Sequence, residues 1–259
     1  MTTRNPQTVR AGTMLLVLAA LFLGLAAAQP AKVLSEAKVA DSVPAPAAIQ
    51  GLGMADGVLW SIDAQKGVLT RIRVADKKVV GTLAIRVAKP RALAWDGKTL
   101  WCAGDDITKV QQVDPAEGKV LRTIEVAKPR TTSPISVEAL AWDGKYLWVA
   151  YAAGWSSQLV RVDVASGRIV QSMFADGLPR GLASDGKSLW MATYNGGKAP
   201  SLLARWTILP DATKMSLTRT FVARLPGKDP VGLAWDSGAF WYADRELKVI
   251  QKVQLPAEP

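Results

Sequence analysis

An all-β fold, a five-bladed β-propeller closed 3+1 by its own N-terminal strand, is predicted by three features of the sequence. One phrase recurs five times at a spacing that suits a blade of four short strands. Each recurrence is followed by two more strand-like segments. The last unit lacks its fourth strand, and matching text stands at the N-terminus.

The recurring phrase reads QGLGMADGVLW (50–60), RALAWDGKTLW (91–101), EALAWDGKYLW (138–148), RGLASDGKSLW (180–190) and VGLAWDSGAFW (231–241). Its closing residues, Trp60, Trp101, Trp148, Trp190 and Trp241, lie 41, 47, 42 and 51 positions apart. A period of this length marks propeller blades. Within the phrase, two apolar segments flank Asp-Gly, as at Asp96-Gly97, Asp143-Gly144 and Asp185-Gly186, a hairpin signal because both residues accept positive φ. A third strand alternates with period 2 (Lys109–Val113, Leu159–Val162), a Gly-containing turn follows, and a fourth strand ends the unit (Lys119–Ile124, Arg168–Ser172).

The fifth unit stops after its third strand, near Val253-Gln254-Leu255-Pro256. The segment Ala31–Ala40 matches the fourth-strand text Gly118–Ala127, so residues 31–39 are expected to complete the last blade and remove an open sheet edge. Ahead of it, residues 1–28 read as a secretory signal. Arg4 and Arg10 supply positive charge, Met14–Ala27 is an apolar run too short to span a bilayer comfortably, and Ala26-Ala27-Ala28 offers small residues for cleavage. The domains expected are therefore a signal peptide (1–28) and one propeller (29–259), whose residues 29–48 form the closing strand and linker. The mature protein is expected outside the cytoplasm, periplasmic or secreted, without an integral span after cleavage, and as a monomer.

Composition narrows the chemistry. The chain of 259 residues contains no histidine, which excludes His-based triads, His general bases and His-containing zinc sites. Its lone Cys102 can form no internal disulfide and reads as a small buried residue. No cofactor and no metal site are expected; the recurrent Asp of the phrase reads as a turn-former. The net charge is +10, with Lys and Arg spread along the chain rather than gathered in a run, which favours a small anionic ligand or peptide over nucleic acid.

Repeat position also sorts residues by face. The start of each first strand and the loop between strands two and three share one face, the Asp-Gly turns the other. On the first face fall Arg91, Glu138 and Arg180, with Asp105, Tyr151, Trp155, Tyr194, Asn195, Asp244 and Arg245 from the loops. Arginines converging on a channel mouth can bind carboxylate or phosphate bidentately; the alternative is that they pair with Glu138, Asp105 and Asp244 and hold blades together. Trp95, Trp142 and Trp235 occupy equivalent positions, as blade packing requires, whereas Trp155 lies off the pattern in a polar loop and is the better candidate for a ligand contact.

The text Glu138–Trp148, Gly154–Asp163 and Ser166–Ser172 resembles the glutamine cyclotransferase superfamily of five-bladed propellers, and virginiamycin-lyase-like propellers share its phrases. The resemblance implies a proton-shuttling glutamate just after the Leu-aromatic pair of a blade; that position here is Val149, which carries no proton. Two function classes follow: a non-catalytic propeller binding an anion or peptide at the channel mouth, and a glutaminyl cyclotransferase- or lyase-type enzyme using Glu138.

Overall fold

Alternation along each strand decides where this chain hides its apolar surface. In the computed structural model, which describes residues 35–46, 48–126, 135–154, 156–197, 199–208 and 219–256, every strand of a blade sends successive side chains to opposite neighbours. Two short strands come first, β1 (Ser35–Glu36) and β2 (Lys38–Pro44). Blade one is β3 (Ile49–Ala55), β4 (Val58–Asp63), β5 (Val68–Arg73) and β6 (Lys78–Ala84). Blade two is β7 (Ala92–Trp95), β8 (Leu100–Ala103), β9 (Lys109–Val113) and β10 (Val120–Glu125). Blade three is β11 (Ile135–Trp142), β12 (Leu147–Ala153), β13 (Ser156–Asp163) and β14 (Arg168–Asp176). Blade four is β15 (Leu178–Ser184), β16 (Ser188–Tyr194), β17 (Leu202–Thr207) and β18 (Arg219–Arg224). Blade five is β19 (Pro230–Asp236), β20 (Ala239–Asp244) and β21 (Val249–Gln254), with β2 as its fourth strand. Each strand pairs antiparallel with the next in its blade, and the inner strands β3, β7, β11, β15 and β19 contact one another in a closed ring. The signal-peptide reading lies outside the described residues.

The core is accordingly five seams rather than one centre. In β12, Leu147, Val149 and Tyr151 pack toward blade two, while Trp148 and Ala150 pack toward blade four. Cys102 is buried in the seam between blades one and two, where desolvation pushes its thiol up to about 12, out of reach of thiolate chemistry.

The N-terminal segment engages two blades. Ser35 and Glu36 pair in parallel with Ala223 and Arg224 of β18, and Ala37 is buried against blades four and five. Then β2 pairs antiparallel with β21, Val39 opposite Val253 and Val43 opposite Ile250. This corrects the register read from the sequence. Matching text set Ala37 against Ile124, whereas in the fold the residue equivalent to Ile124 is Val43, six positions on: the next-but-one amides, Ala45 and Val126, donate to the residues before β21 and β9. An outermost strand has one inward side and little that its text must satisfy, so an even slip leaves its faces unchanged and its text uninformative.

The turns also differ from expectation. At Asp96, Asp143 and Asp185 only the following glycine has positive φ; the aspartate instead accepts from the amides two and three residues on, a four-residue loop. Two-residue turns with both φ positive occur at Asp56-Gly57 and Ser237-Gly238.

These aspartates carry a second duty that the repeat conceals. The closing tryptophan indole donates to the turn carboxylate in four blades: Trp101 to Asp96 at 2.8 Å, Trp148 to Asp143 at 2.9 Å, Trp190 to Asp185 at 2.9 Å and Trp241 to Asp236 at 3.1 Å. The residue paired with that tryptophan on strand three is cationic in four blades: Arg71, Arg161, Arg205 and Lys252. Arg161 donates to Asp143 at 2.9 Å with both side chains almost fully buried, and Lys252 donates to Asp236 at 2.8 Å. Blade one has Ala55 where the others have aspartate, and there the indole nitrogen of Trp60 and Nε of Arg71 are buried without partners.

Four outcomes follow. Asp143→Ala strands the Arg161 charge in the core and should cost about 3–5 kcal/mol, read as a large fall in melting temperature. Ala55→Asp gives Trp60 and Arg71 the acceptor that Asp236 provides beside the same kind of turn, and should raise the melting temperature. Burial pushes Asp96 and Asp236 up, but hydrogen bonds from Thr99 and Trp101, and from Lys252 and Trp241, bring both net below the usual aspartate range. Their contribution is present above the unfolded value and lost as pH falls through the lowered one, so acid should melt the ring. For the closure, a chain beginning at Ala37 should keep its melting temperature, while one beginning at Ala45 should aggregate through the bared β21 edge. Equal behaviour of the two would reject the register.

Candidate functional site

The mouth of the channel is shaped by bulges. Glu138 is the unpaired extra residue between Val137 and Ala139 in β11, and Arg180 holds the same place between Pro179 and Gly181 in β15. A bulge re-aims its side chain, and here it turns two residues of neighbouring blades toward each other. Arg180 Nη1 donates to Glu138 Oε2 at 2.9 Å. From blade two, Arg91 Nη2 donates to Glu138 Oε1 at 3.0 Å, and Ser136 Oγ donates to the same oxygen. One nearly buried carboxylate is thus bracketed by two guanidinium groups. Arg91 Nε and Arg180 Nε are buried and make no hydrogen bond.

A third guanidinium joins them. Arg245 is fixed by two hydrogen bonds to Asp229, both 2.9 Å, which raise its pKa against the opposing effect of burial, and the negative charge of Glu138 raises it further. The Arg180 guanidinium lies 5.1 Å from the centre of the Tyr194 ring, a cation–π contact. Three arginines therefore face two carboxylates, Glu138 and Asp229, leaving one positive charge in excess.

Beneath this charge cluster the channel shuts. The next residue of each inner strand is small: Gly51, Ala92, Ala139, Gly181 and Gly232. A Cβ on Gly181 would stand 2.6 Å from the Gly232 backbone, and one on Gly232 2.6 Å from Leu52. Below these lie Leu52, Leu93, Leu140, Leu182 and Leu233, around a void of about 10 Å³, room for about one water molecule. A ligand at this face must sit above Glu138. On the opposite face Met54, Trp95, Trp142, Ser184 and Trp235 line a separate funnel of about 100 Å³.

The remaining residues expected at the mouth divide. Tyr151 is a core residue, its hydroxyl donating to the Ile107 carbonyl at 3.2 Å. It stands in phase with Leu147 and Val149, and that alternation was the signal to read. Asp244 is fully buried and accepts from the Leu247 and Asp229 amides, at 2.9 and 3.1 Å, so it shapes loops and offers a ligand nothing. Asp105 pairs with Lys89 at 2.7 Å, and Asn195 donates to the Pro200 carbonyl at 2.8 Å. Trp155 lies outside the described residues. Ser136 and Asp229 were missed, because neither occupies a repeat position and each acts only through a partner 2 or 16 residues away. Val149, where the resemblance implies a glutamate, is fully buried.

No protein-family profile matches the chain, and no curated protein matches it. Among solved structures, the glutaminyl cyclase of Myxococcus xanthus superimposes with a TM-score of 0.63 at 14% identity, over 86% of this chain and 97% of that one. Hydrazine synthase of Kuenenia stuttgartiensis gives a TM-score of 0.49 at 17% identity, over 85% and 77%. The Cps50 (Swd1) β-propeller domain of Myceliophteria thermophila gives 0.48 at 12% identity, over 85% and 100%. What this chain shares with the Myxococcus enzyme is its fold, a β-propeller.

Proposed function

We propose that the protein is an exported, non-catalytic propeller that binds a small anionic ligand, or the carboxylate of a peptide, in the basin above Glu138. The observation that carries this reading is the excess guanidinium charge there. Arg91 and Arg180 each spend a terminal nitrogen on Glu138 and retain further donors, and their Nε atoms lack any partner. A planar anion entering the basin would meet preformed forks with little rearrangement. The apolar run Met14–Ala27 supports export.

A second reading, glutaminyl cyclotransferase chemistry, is favoured by the fold shared with the Myxococcus xanthus glutaminyl cyclase. It needs a carboxylate that can take a proton from the attacking amine and pass one to departing ammonia. Glu138 is the candidate, yet Oε1 already accepts from Arg91 and Ser136, and Oε2 from Arg180. With both oxygens occupied, binding is the better account.

The bracketing pairs change what a test must look like. Replacing both arginines alone would leave Glu138 buried and unpaired, which costs about 3–5 kcal/mol and confounds binding with folding. The variant to use is the neutral triple Arg91→Gln, Glu138→Gln, Arg180→Gln. Inorganic phosphate and glutarate should raise the melting temperature of the native protein, as any ligand of the folded state does. The triple variant should show no such rise. An absent shift with the native protein, or an equal shift in the triple variant, overturns the proposal. N-terminal glutaminyl peptides should release no ammonia with the native protein. Turnover that Glu138→Gln abolishes would instead establish the enzyme reading.

A further inference from the structure

A second cleft lies where the N-terminal segment crosses blade four. It encloses about 320 Å³ between Glu36, Ala199, Pro200 and the stretch Arg224–Lys228, a volume within the range of small-molecule sites. Its floor is held in place. The Leu225 amide donates to the Ser201 carbonyl at 2.8 Å, the Tyr242 hydroxyl sits against the Pro226 carbonyl, and Gly227 at φ 82° leaves room for the Asp244 carboxylate where a Cβ would stand. That floor is apolar, made by Leu225, Pro226 and Pro200.

Its rim carries both signs of charge, and the charges are free. Glu36 and Arg224 are register partners in the parallel β1–β18 pair, so their side chains stand on the same side of the sheet. Among the described residues neither forms an ion pair or a side-chain hydrogen bond, and nor does Lys228 on the far side of the cleft, whereas at the mouth Arg91 and Arg180 pair with Glu138 and Arg245 pairs with Asp229. Two cations and one carboxylate around an apolar floor match a molecule that carries an ammonium, a carboxylate and an apolar body between them.

We infer that this cleft binds a zwitterionic amino acid or dipeptide with an apolar side chain. The ligand ammonium meets Glu36, its carboxylate meets Arg224 and Lys228, and its side chain lies on Leu225, Pro226 and Pro200. The site is distinct from the charge cluster at Glu138, and the N-terminal segment completes it by supplying the only carboxylate among the described residues that line it.

Titration calorimetry with leucyl-leucine tests the inference. The native protein should bind it, and N-acetyl-leucyl-leucine and leucyl-leucine amide, each lacking one charge, should bind on the order of tenfold more weakly. Glu36→Gln should weaken the parent dipeptide by a similar factor without weakening the acetylated form, and Arg224→Gln should do the same for the amide. Both residues are exposed, so these variants should melt as the native protein does. The neutral triple variant at the mouth should bind leucyl-leucine unchanged. No binding of the dipeptide, binding of either capped form as tight as that of leucyl-leucine, or loss of binding in the mouth variant would each overturn the inference.

Discussion

Five strands can meet around one axis only where their side chains nearly vanish. That constraint is met at Gly51, Ala92, Ala139, Gly181 and Gly232, where a Cβ added to three of the five would come within 3.0 Å of a neighbouring strand. The rest of the architecture follows from this approach. Because the inner strands are so near, the leucine below each small residue fills the axis and stops the channel. The residue above each one stands at the rim, which is why Arg91, Glu138 and Arg180 can reach one another across blade boundaries. A larger residue in that ring would spread the strands and disturb the seal and the charge cluster together.

Away from the axis the blades depend on polar contacts as much as on apolar seams. Tryptophan is costly to bury unless its N–H finds an acceptor, and the turn aspartate supplies one in four blades. The strand-three cation then offsets the charge of that aspartate, most completely at Asp143 and Arg161. A buried pair of this kind adds little net stability over an apolar pair of the same size, yet loss of one partner is costly because it leaves the other charge buried; here Asp143 Oδ2 accepts from both Trp148 and Arg161. Blade one keeps the apolar part of the arrangement without its acceptor, and both of its donors are orphaned as a result.

The two candidate sites use charge in opposite ways. At the mouth, acid and base are paired across blades, so Glu138 both stabilises the ring and limits how much of the arginine charge a ligand can use. In the outer cleft the charges are exposed and unpaired, and screening by solvent and salt keeps their cost low. The stretch from Leu225 to Asp229 links the two: Leu225 to Lys228 line the cleft, while Asp229 fixes Arg245 at the mouth.

By itself the sequence determined the number of blades, the strands in each, the face on which Arg91, Glu138 and Arg180 gather, and the need for an N-terminal strand in blade five. Those features are written in residue type and period, which repetition displays five times over. The tertiary structure alone decided three other matters. It set the register of β2, because an outer strand has one buried side and its text is nearly free to slide. It moved Tyr151 and Asp244 from the mouth into the interior, because a loop boundary two residues off changes a lining residue into a packed one. It joined Ser136 to Glu138, Asp229 to Arg245 and the turn aspartates to tryptophan, since a hydrogen bond depends on where two side chains end and no single position in the chain announces it.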